Sequence, residues 1–153
     1  MSILSVHSDE HFMRQALNEA QQAFNEKEIP VGAVVVCQNK IIAKAHNQVQ
    51  RLNDVTAHAE MLAITSAQNH LGSKYLDQCT LYVTLEPCTM CAGALYWSQV
   101  AKVCYGASDE KRGYKITNPS ILHPSTELVT GLLAEESSEL VLSFFKQIRG
   151  NKS

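Results

Sequence analysis

Two short motifs constrain the fold of this chain more than any other feature: HAE at residues 58–60 and PCTMC at residues 87–91. Two thiolates and one imidazole are enough protein ligands for a zinc ion that keeps its fourth position open for water. A carboxylate two residues from the imidazole could move the protons of that water. If both motifs serve one ion, the chain must bring two separate segments together, and the sequence predicts a zinc hydrolase.

The second motif lies inside a predicted strand, helix, strand unit. The apolar run 80–84 predicts a buried strand, a helix follows from Pro87 through Trp97, and residues 102–106 return as another strand. This order of elements predicts a right-handed parallel crossover.

The helix starts explain how one metal ion could meet both motifs. Cys88 and Cys91 are three residues apart, so at a helix start both sulfurs project to the same side. The free N–H groups and partial positive charge there favour thiolate over thiol. His58 and Glu60 lie in the first turn of the preceding predicted helix, and neighbouring crossover helices bring their N-termini to the edge where α/β sheets usually bind ligands.

The remaining pattern completes a layered architecture. It predicts a helix over residues 9–26 capped by Ser8, followed by a hairpin of strands 33–37 and 41–46. A second helix is capped by Thr56 and runs to about residue 70, before Gly72. After the crossover unit come a loop at 114–125, a strand at 127–130 and a final helix that reaches Ile148. Together these elements form an α/β fold, a three-layer α/β/α sandwich with a mixed, mostly parallel five-stranded sheet.

Length and composition limit the class of protein. The 153 residues suggest a single domain over 1–153, and 45% hydrophobic with 18% charged residues is ordinary globular usage. We expect a cytoplasmic protein, because no apolar run approaches the roughly 20 residues that cross a bilayer and the N-terminus has no leader-like pattern. An odd number of cysteines favours a metal site and buried thiols over a disulfide framework, so we expect Cys37, Cys79 and Cys104 in the core.

The charge distribution says little about partners. A net charge of −2 argues weakly against indiscriminate binding to polyanions. Cationic residues gather at Lys111, Arg112 and Lys115, and again at Lys146, Arg149 and Lys152 near the C-terminus. On charge patterning alone, each cluster is an ordinary solvated surface.

A CxxC pair by itself also fits a redox dithiol or half of a structural zinc site. A structural zinc ion takes four protein ligands, and the sequence has no second CxxC or HxxxH to complete the set. Cys104 or His123 could be recruited, but neither is near a predicted helix start in sequence. Glu60 alone could be an exposed first-turn acid favoured by the helix dipole, whereas beside a zinc-ligand set the catalytic interpretation is favoured.

Together with the segments IPVGAVVV and HN, these motifs resemble the cytidine deaminase superfamily, and within it the bacterial tRNA adenosine deaminases. The resemblance covers nearly the whole chain, including the AGA that follows PCTMC. It implies one Zn²⁺ per subunit, held by His58, Cys88 and Cys91, with Glu60 outside the coordination shell as the catalytic proton carrier. Iron could occupy the same ligands. The implied reaction is hydrolytic deamination of adenosine to inosine at the wobble position of a tRNA anticodon loop.

The same resemblance implies how the substrate is held. Asn47 would hydrogen-bond the flipped base, helped by the backbone beside Ala59, and Val31 would wall the pocket. Candidate RNA contacts are Asp109, Lys111, Arg112, Phe144, Phe145, Lys146 and Arg149. By periodicity alone, Phe144 and Phe145 are core residues. The resemblance also implies a homodimer in which one subunit completes the RNA surface of the other.

Three alternatives remain open. A free-base deaminase such as guanine deaminase shares HAE and PCxxC, and the phrase LYW at residues 95–97 is similar to that branch, although VGAVVV and CTMCAGA fit the tRNA enzymes better. A non-catalytic partner subunit typically loses the glutamate, which this chain keeps. A structural zinc or redox module would need neither Glu60 nor a pocket asparagine.

Overall fold

A computed structural model describes residues 7–150, which contain five strands and six helices. The strands are β1 Gly32–Cys37, β2 Lys40–His46, β3 Cys79–Leu85, β4 Lys102–Ala107 and β5 Glu127–Thr130. The helices are α1 Asp9–Asn25, α2 Val49–Leu52, α3 Ala59–Leu71, α4 Thr89–Ser98, α5 Tyr114–Thr117 and α6 Ala134–Gly150.

The strands form one sheet in the order β2-β1-β3-β4-β5. Strand β1 is antiparallel to both of its neighbours, whereas β3, β4 and β5 pair in parallel. Four strands therefore run in one direction and only β1 runs against them within the described sheet. This arrangement confirms the predicted mixed, mostly parallel five-stranded sheet.

Helices cover both faces of the sheet, which confirms the three layers. Strand β1 shows why both faces need cover: Val34 and Val36 pack against α1, while Ala33 and Val35 belong to the cluster on the opposite side, with α3 and α4. All four side chains are buried. Helix α6 packs beside α1 on the first face.

Helix α1 begins where the sequence predicts, because the Ser8 hydroxyl accepts a hydrogen bond from the His11 backbone N–H at 3.1 Å. It crosses β1 very closely at Gly32. A Cβ atom on Gly32 would lie 2.1 Å from the carbonyl oxygen of Ala16 and 2.4 Å from the backbone nitrogen of Ala20. Only glycine permits this approach, which fixes the start of β1.

The strand directions bring several chain segments to one edge of the sheet. Because β2, β3 and β4 run the same way, their carboxyl ends meet there, and β1 begins there. Asn47 follows β2, Glu86 to Cys88 follow β3, and residue 108 follows β4. This edge therefore collects the predicted site residues.

Two predicted helix starts are wrong. Thr56 does not cap α3, since its hydroxyl and backbone N–H both bond to the Asp54 carboxylate, at 2.7 and 2.8 Å. The helix begins at Ala59 with His58 as N-cap. Likewise α4 begins at Thr89 with Cys88 as N-cap, so Pro87 lies before the helix.

The segment 114–125 is not entirely a loop, because α5 forms over its first residues. Gly72 ends α3 in the left-handed conformation, at φ 65°, as predicted.

Two of the three cysteines that we expected in the core are buried there, and the third, Cys37, is only half-buried. All five cysteines are free thiols, and the two buried ones of these three are Cys79 and Cys104. Within residues 7–150, no helix is both long and apolar enough to cross a membrane.

Candidate active site and metal centre

The two sequence motifs meet in the folded chain. The Nδ1 atom of His58 lies 3.6 Å from Sγ of Cys88 and 3.5 Å from Sγ of Cys91. His58 and Cys88 occupy the N-cap positions of α3 and α4, and Cys91 lies one turn into α4. The shared position at the helix starts is the cause of the juxtaposition.

These three side chains fit a zinc ion. Their ligand atoms all lie within 4.8 Å of one another, and in the part of the chain described they form the one group of this kind. Two ligands at zinc distances of about 2.0 Å for nitrogen and 2.3 Å for sulfur, at the tetrahedral angle, lie about 3.6 Å apart. The N–S distances agree with that value. Three protein ligands also match a catalytic zinc site, which leaves one position for water.

The cysteine pair is electrostatically prepared for a metal. A hydrogen bond from Cys91, together with the His58 imidazole, lowers the pKa of Cys88 to about 4, while the same pairing raises the pKa of Cys91. The imidazole of His58 has a raised pKa, chiefly because of its hydrogen bond with Cys88. Cys88 is therefore a thiolate at neutral pH, the form that binds metals.

Glu60 is a buried acid, not the exposed first-turn residue of the alternative interpretation. It is 4% exposed and makes side-chain contact with the Cys91 thiol. Burial raises its pKa to about 7, and the neighbouring Cys88 adds to that effect. His58, Cys88 and Cys91 form a ligand triangle, and a carboxylate in this position can take up and give back a proton there.

An open cavity of about 730 Å³ leads to the ligand triangle. Its volume lies within the range of sites for small organic ligands. His58, Glu60 and Cys88 line it beside three residues assigned to the substrate by resemblance, namely Val31, Asn47 and Ala59. The fold thus brings all of these predicted residues to one place.

Asn47 is held in a fixed orientation. Its backbone N–H donates to Val31 O at 3.0 Å, and its Nδ2 donates to Ile29 O at 3.2 Å. Its Oδ1 accepts from the Val49 N–H at 3.4 Å. A side-chain amide has four hydrogen-bonding positions, so one N–H and one oxygen lone pair stay available to a ligand.

A buried acid that sequence reasoning missed holds the loop after Asn47. Glu28 is 1% exposed, and its two carboxylate oxygens accept from the N–H groups of Gln50 at 3.0 Å and Arg51 at 2.8 Å. These donors lie in the short helix α2. Glu28 therefore fixes the wall that carries Val49 and Gln50 into the cavity lining.

A second missed acid holds the opposite wall. Glu86 is 5% exposed, and its carboxylate accepts from the N–H groups of Asp109 and Lys115, both at 3.1 Å. The sequence contains one signal that could have identified both acids. Each glutamate begins a short segment with a proline, EIP at residues 28–30 or EPC at residues 86–88, that leads directly to site residues. Their backbone partners are more than twenty residues away in sequence, with separations of 22 to 29.

The candidate RNA contacts are distributed unevenly around the cavity. Asp109, Arg112, Phe144 and Phe145 line it. Phe144 is also core, at 5% exposed, and packs edge to face on Phe24 with ring centroids 5.9 Å apart, whereas Phe145 is 37% exposed. The exposed cations Lys111, Lys146 and Arg149 lie outside the lining, and Lys152 lies outside the described residues.

Comparison with known proteins agrees with this geometry. Residues 6–107 match the family model of the cytidine and deoxycytidylate deaminase zinc-binding region. A tRNA-specific adenosine deaminase from Aquifex aeolicus is 47% identical over 148 residues, covering 93% of this chain and 97% of that protein.

Solved structures give the same picture in three dimensions. A structure from studies of A-to-I editing by tRNA:A34 deaminases at the wobble position is 42% identical, with a TM-score of 0.79, and covers 85% of this chain and 98% of its own. A guanine deaminase from Bacillus subtilis is 34% identical, with a TM-score of 0.65, covering 95% of this chain and 98% of its own. The likeness to the tRNA-directed proteins is therefore the stronger one in sequence identity. Superposition does not separate the two groups, since a guanine deaminase from Nitrosomonas europaea, 25% identical, also has a TM-score of 0.79.

Proposed function

The chain belongs to the cytidine and deoxycytidylate deaminase zinc-binding family, and from that premise we propose that it deaminates adenosine to inosine at the wobble position of a tRNA anticodon loop. It is a zinc-dependent hydrolytic deaminase. The observation that carries the proposal is the buried Glu60 carboxylate in contact with the His58, Cys88 and Cys91 triangle, at a cavity open to solvent.

The three candidate ligands and Glu60 have different roles in the proposed reaction. His58, Cys88 and Cys91 would hold the ion, and bound zinc supplies Lewis acidity that makes water a nucleophile at neutral pH. Glu60 accepts a proton from the attacking water and delivers it to ring N1. It then takes the proton of the hydroxyl formed at C6 and delivers it to the exocyclic amine, which leaves as the C6 carbonyl forms. Adenosine and water thus become inosine and ammonia. Glu60 serves every proton transfer because its carboxylate is the acid buried beside the triangle.

The cavity wall orients the base. The free N–H and lone pair of Asn47 can bond the base edge, since its other positions are occupied by Ile29 and Val49. Val31 offers an apolar wall beside it. The backbone N–H of Ala59, at the first position of α3, has no intrahelical acceptor and can bond a base oxygen or nitrogen.

The RNA surface surrounds the cavity mouth. Arg112 on one wall and the cations near the end of α6, Lys146 and Arg149, would meet phosphates, whereas the half-exposed Phe145 offers a ring for stacking. Asp109 belongs to the same wall as Arg112, and Lys111 lies beside them in the same turn, outside the cavity lining. The base enters the cavity alone, because single-stranded loops can splay a base out of the stack.

We also propose a homodimer of single-domain subunits that acts in the cytoplasm. The support is an exposed aromatic surface on α4 and the segment before β3, where Trp97 is 76%, Tyr75 40% and Tyr96 37% exposed. Exposed aromatic groups of this size favour a protein interface. Sedimentation of the wild type and Trp97→Glu tests this: a dimer that becomes a monomer supports it, and a wild-type monomer contradicts it.

The substrate proposal is tested by offering purified protein three substrates: an anticodon stem-loop with adenosine at the wobble position, the same stem-loop with guanosine there, and free guanine. Ammonia and the nucleosides of the digested RNA are measured. We expect inosine from the first substrate and no product from the others. Guanine turnover without inosine would retain the zinc chemistry and assign the chain to the free-base enzymes.

A further inference from the structure

The carboxylate of Glu86 has no role in the proposed reaction although it lies at the cavity, immediately before Pro87 and Cys88. It is nearly inaccessible, and burying a carboxylate is costly unless hydrogen bonds replace its water. Oε1 accepts from the Asp109 N–H and Oε2 from the Lys115 N–H. Both oxygens are thus used to hold one segment, residues 109–115.

That segment is attached to the residues around Glu86 at further points. The Glu86 N–H donates to Ala107 O at 2.8 Å, and the Tyr114 N–H donates to Pro87 O at 2.9 Å. Cys88 and Gly113 form an isolated antiparallel bridge. The metal-ligand segment and segment 109–115 are therefore joined by backbone hydrogen bonds at residues 86, 87 and 107 and by a single bridge at Gly113, where the turn of segment 109–115 leads into α5.

Gly113 provides the room for the carboxylate. A Cβ atom there would lie 2.1 Å from Oε2 of Glu86 and 2.6 Å from the carbonyl oxygen of Asp109. The backbone of Gly113 is ordinary, with φ −66°, so the requirement for glycine is one of space. The buried acid and the glycine form one device.

The contact between Glu86 and segment 109–115 fixes the backbone that carries three cations. Oδ1 of Asp109 accepts from the N–H groups of Lys111 at 3.1 Å and Arg112 at 3.0 Å. The turn that begins at the Asp109 N–H therefore carries two exposed cations, and Lys115 adds a third at the other contact with Glu86. Arg112 lies on the cavity wall.

We propose that Glu86 is a positioning residue: it fixes segment 109–115 against the metal-ligand segment, so that Lys111, Arg112 and Lys115 meet the phosphates of the RNA whose base occupies the cavity. This rests on the proposed function. Glu86 acts through backbone hydrogen bonds, so it governs how well the RNA binds and not the chemical step at Glu60.

The lost charge and the lost hydrogen bond of Glu86→Gln predict opposite changes in RNA affinity. Removing a negative charge beside the RNA would by itself strengthen binding. Glutamine keeps one acceptor but turns an N–H₂ group toward the second backbone N–H, which loosens the segment. A weaker affinity after this substitution can therefore come only from lost positioning.

The experiment uses the full-length zinc-loaded protein with the adenosine stem-loop, and compares Glu86→Gln, Gly113→Ala and Glu110→Gln with the wild type. Gly113→Ala disturbs the same contact from the other side while leaving the acid in place. Glu110→Gln removes an exposed carboxylate from the same segment and serves as the matched control. KM, kcat, zinc content and backbone hydrogen exchange are measured for each variant.

The loss of one hydrogen bond to a buried carboxylate predicts that KM rises about tenfold for Glu86→Gln and Gly113→Ala, with kcat within about twofold and zinc unchanged. Amide exchange should quicken in residues 109–115 alone. The control should keep the wild-type KM or lower it. If the wild type produces inosine and Glu86→Gln retains its KM, or if kcat and zinc fall together, the positioning role is wrong. If the wild type produces no inosine, the proposed function fails, and faster exchange limited to 109–115 still tests the attachment by Glu86.

Discussion

Nδ1 of His58 lies 3.5 Å from Sγ of Cys91, although the two residues belong to different helices. The distance follows from the strand directions, because β2 and β3 deliver their carboxyl ends to one edge and the helices begin there. The site is therefore a property of the sheet topology.

Zinc binding should depend on Cys91 and not on burial of a thiol in general. Cys91→Ala removes one of three ligands, so its zinc content should fall from about one ion per chain to nearly none, with loss of turnover. Cys104→Ala is the matched control, since Cys104 is equally buried and lies in β4. Metal analysis of both variants decides the matter. Full zinc in Cys91→Ala would mean that the ligand set is different.

Removal of zinc with a chelator should abolish ammonia release by the wild type, and about one equivalent of zinc per chain should restore it. The far-ultraviolet circular dichroism should change little, because the candidate ligands lie at the starts of α3 and α4 and not in the sheet or in α1. Turnover that survives complete metal removal would contradict the assignment of the triangle.

The contact between α1 and β1 should depend on Gly32. Gly32→Ala forces a Cβ atom into backbone atoms of α1, so we expect it to lower the free energy of unfolding by about 3 kcal/mol. Gly93→Ala, in α4, is the control: a Cβ there meets no atom within 4 Å, and alanine should be neutral or stabilise the helix by about 0.5–1 kcal/mol. Urea unfolding at one protein concentration compares them. Equal stabilities would show that α1 can shift freely.

Asp9 should make stability depend on pH at the acid end. Burial raises its pKa, but hydrogen bonds from Tyr82 and Lys102 outweigh burial and lower it below the ordinary 3.8. A lowered folded-state pKa stabilises the protein above 3.8, and this contribution is lost as pH falls below that value.

Asp9→Asn tests that sign. Because Asp9 is about one third exposed, solvent reduces the effect, and we expect a loss of about 1 kcal/mol or less at pH 7. The difference from the wild type should shrink when the pH is lowered toward 3. A difference that grows on acidification would show the opposite sign of linkage.

RNA affinity should fall with salt through specific cations. The slope of log affinity against log salt should decrease by about 0.7 for Arg112→Ala and for Lys146→Ala. Lys40→Ala is the control, since Lys40 is exposed at the start of β2, at the sheet edge opposite the site. Titration of the stem-loop at several salt concentrations gives the slopes. Equal slopes for all four proteins would remove these residues from the RNA surface.

The sequence was sufficient for the parts of the fold that depend on local patterns. Apolar periodicity identified the five strands and the long helices, and motif spacing indicated the ligand triangle. It failed at the starts of α3 and α4, because proline and threonine preferences describe isolated helix ends. Here Asp54 binds Thr56, and the N-caps are His58 and Cys88, two residues of the group that could hold a metal ion.

The two missed acids show a different limit. Glutamate is usually a surface residue, so the sequence gives no reason to expect Glu28 and Glu86 in the interior. Their burial depends on backbone N–H donors that tertiary structure brings close. The very short helices α2 and α5 were missed for a related reason. A helix of four residues has too few turns to show a period.

We propose that Glu60 moves the protons of an adenosine deamination at this zinc site. The most direct test measures inosine formed in an adenosine anticodon stem-loop by the wild type and by Glu60→Ala, both with measured zinc content. Removal of a general acid and base should lower the rate by about 10² to 10⁴, with zinc still bound. Inosine formed by Glu60→Ala at the wild-type rate, with equal zinc, would show that Glu60 does not move these protons.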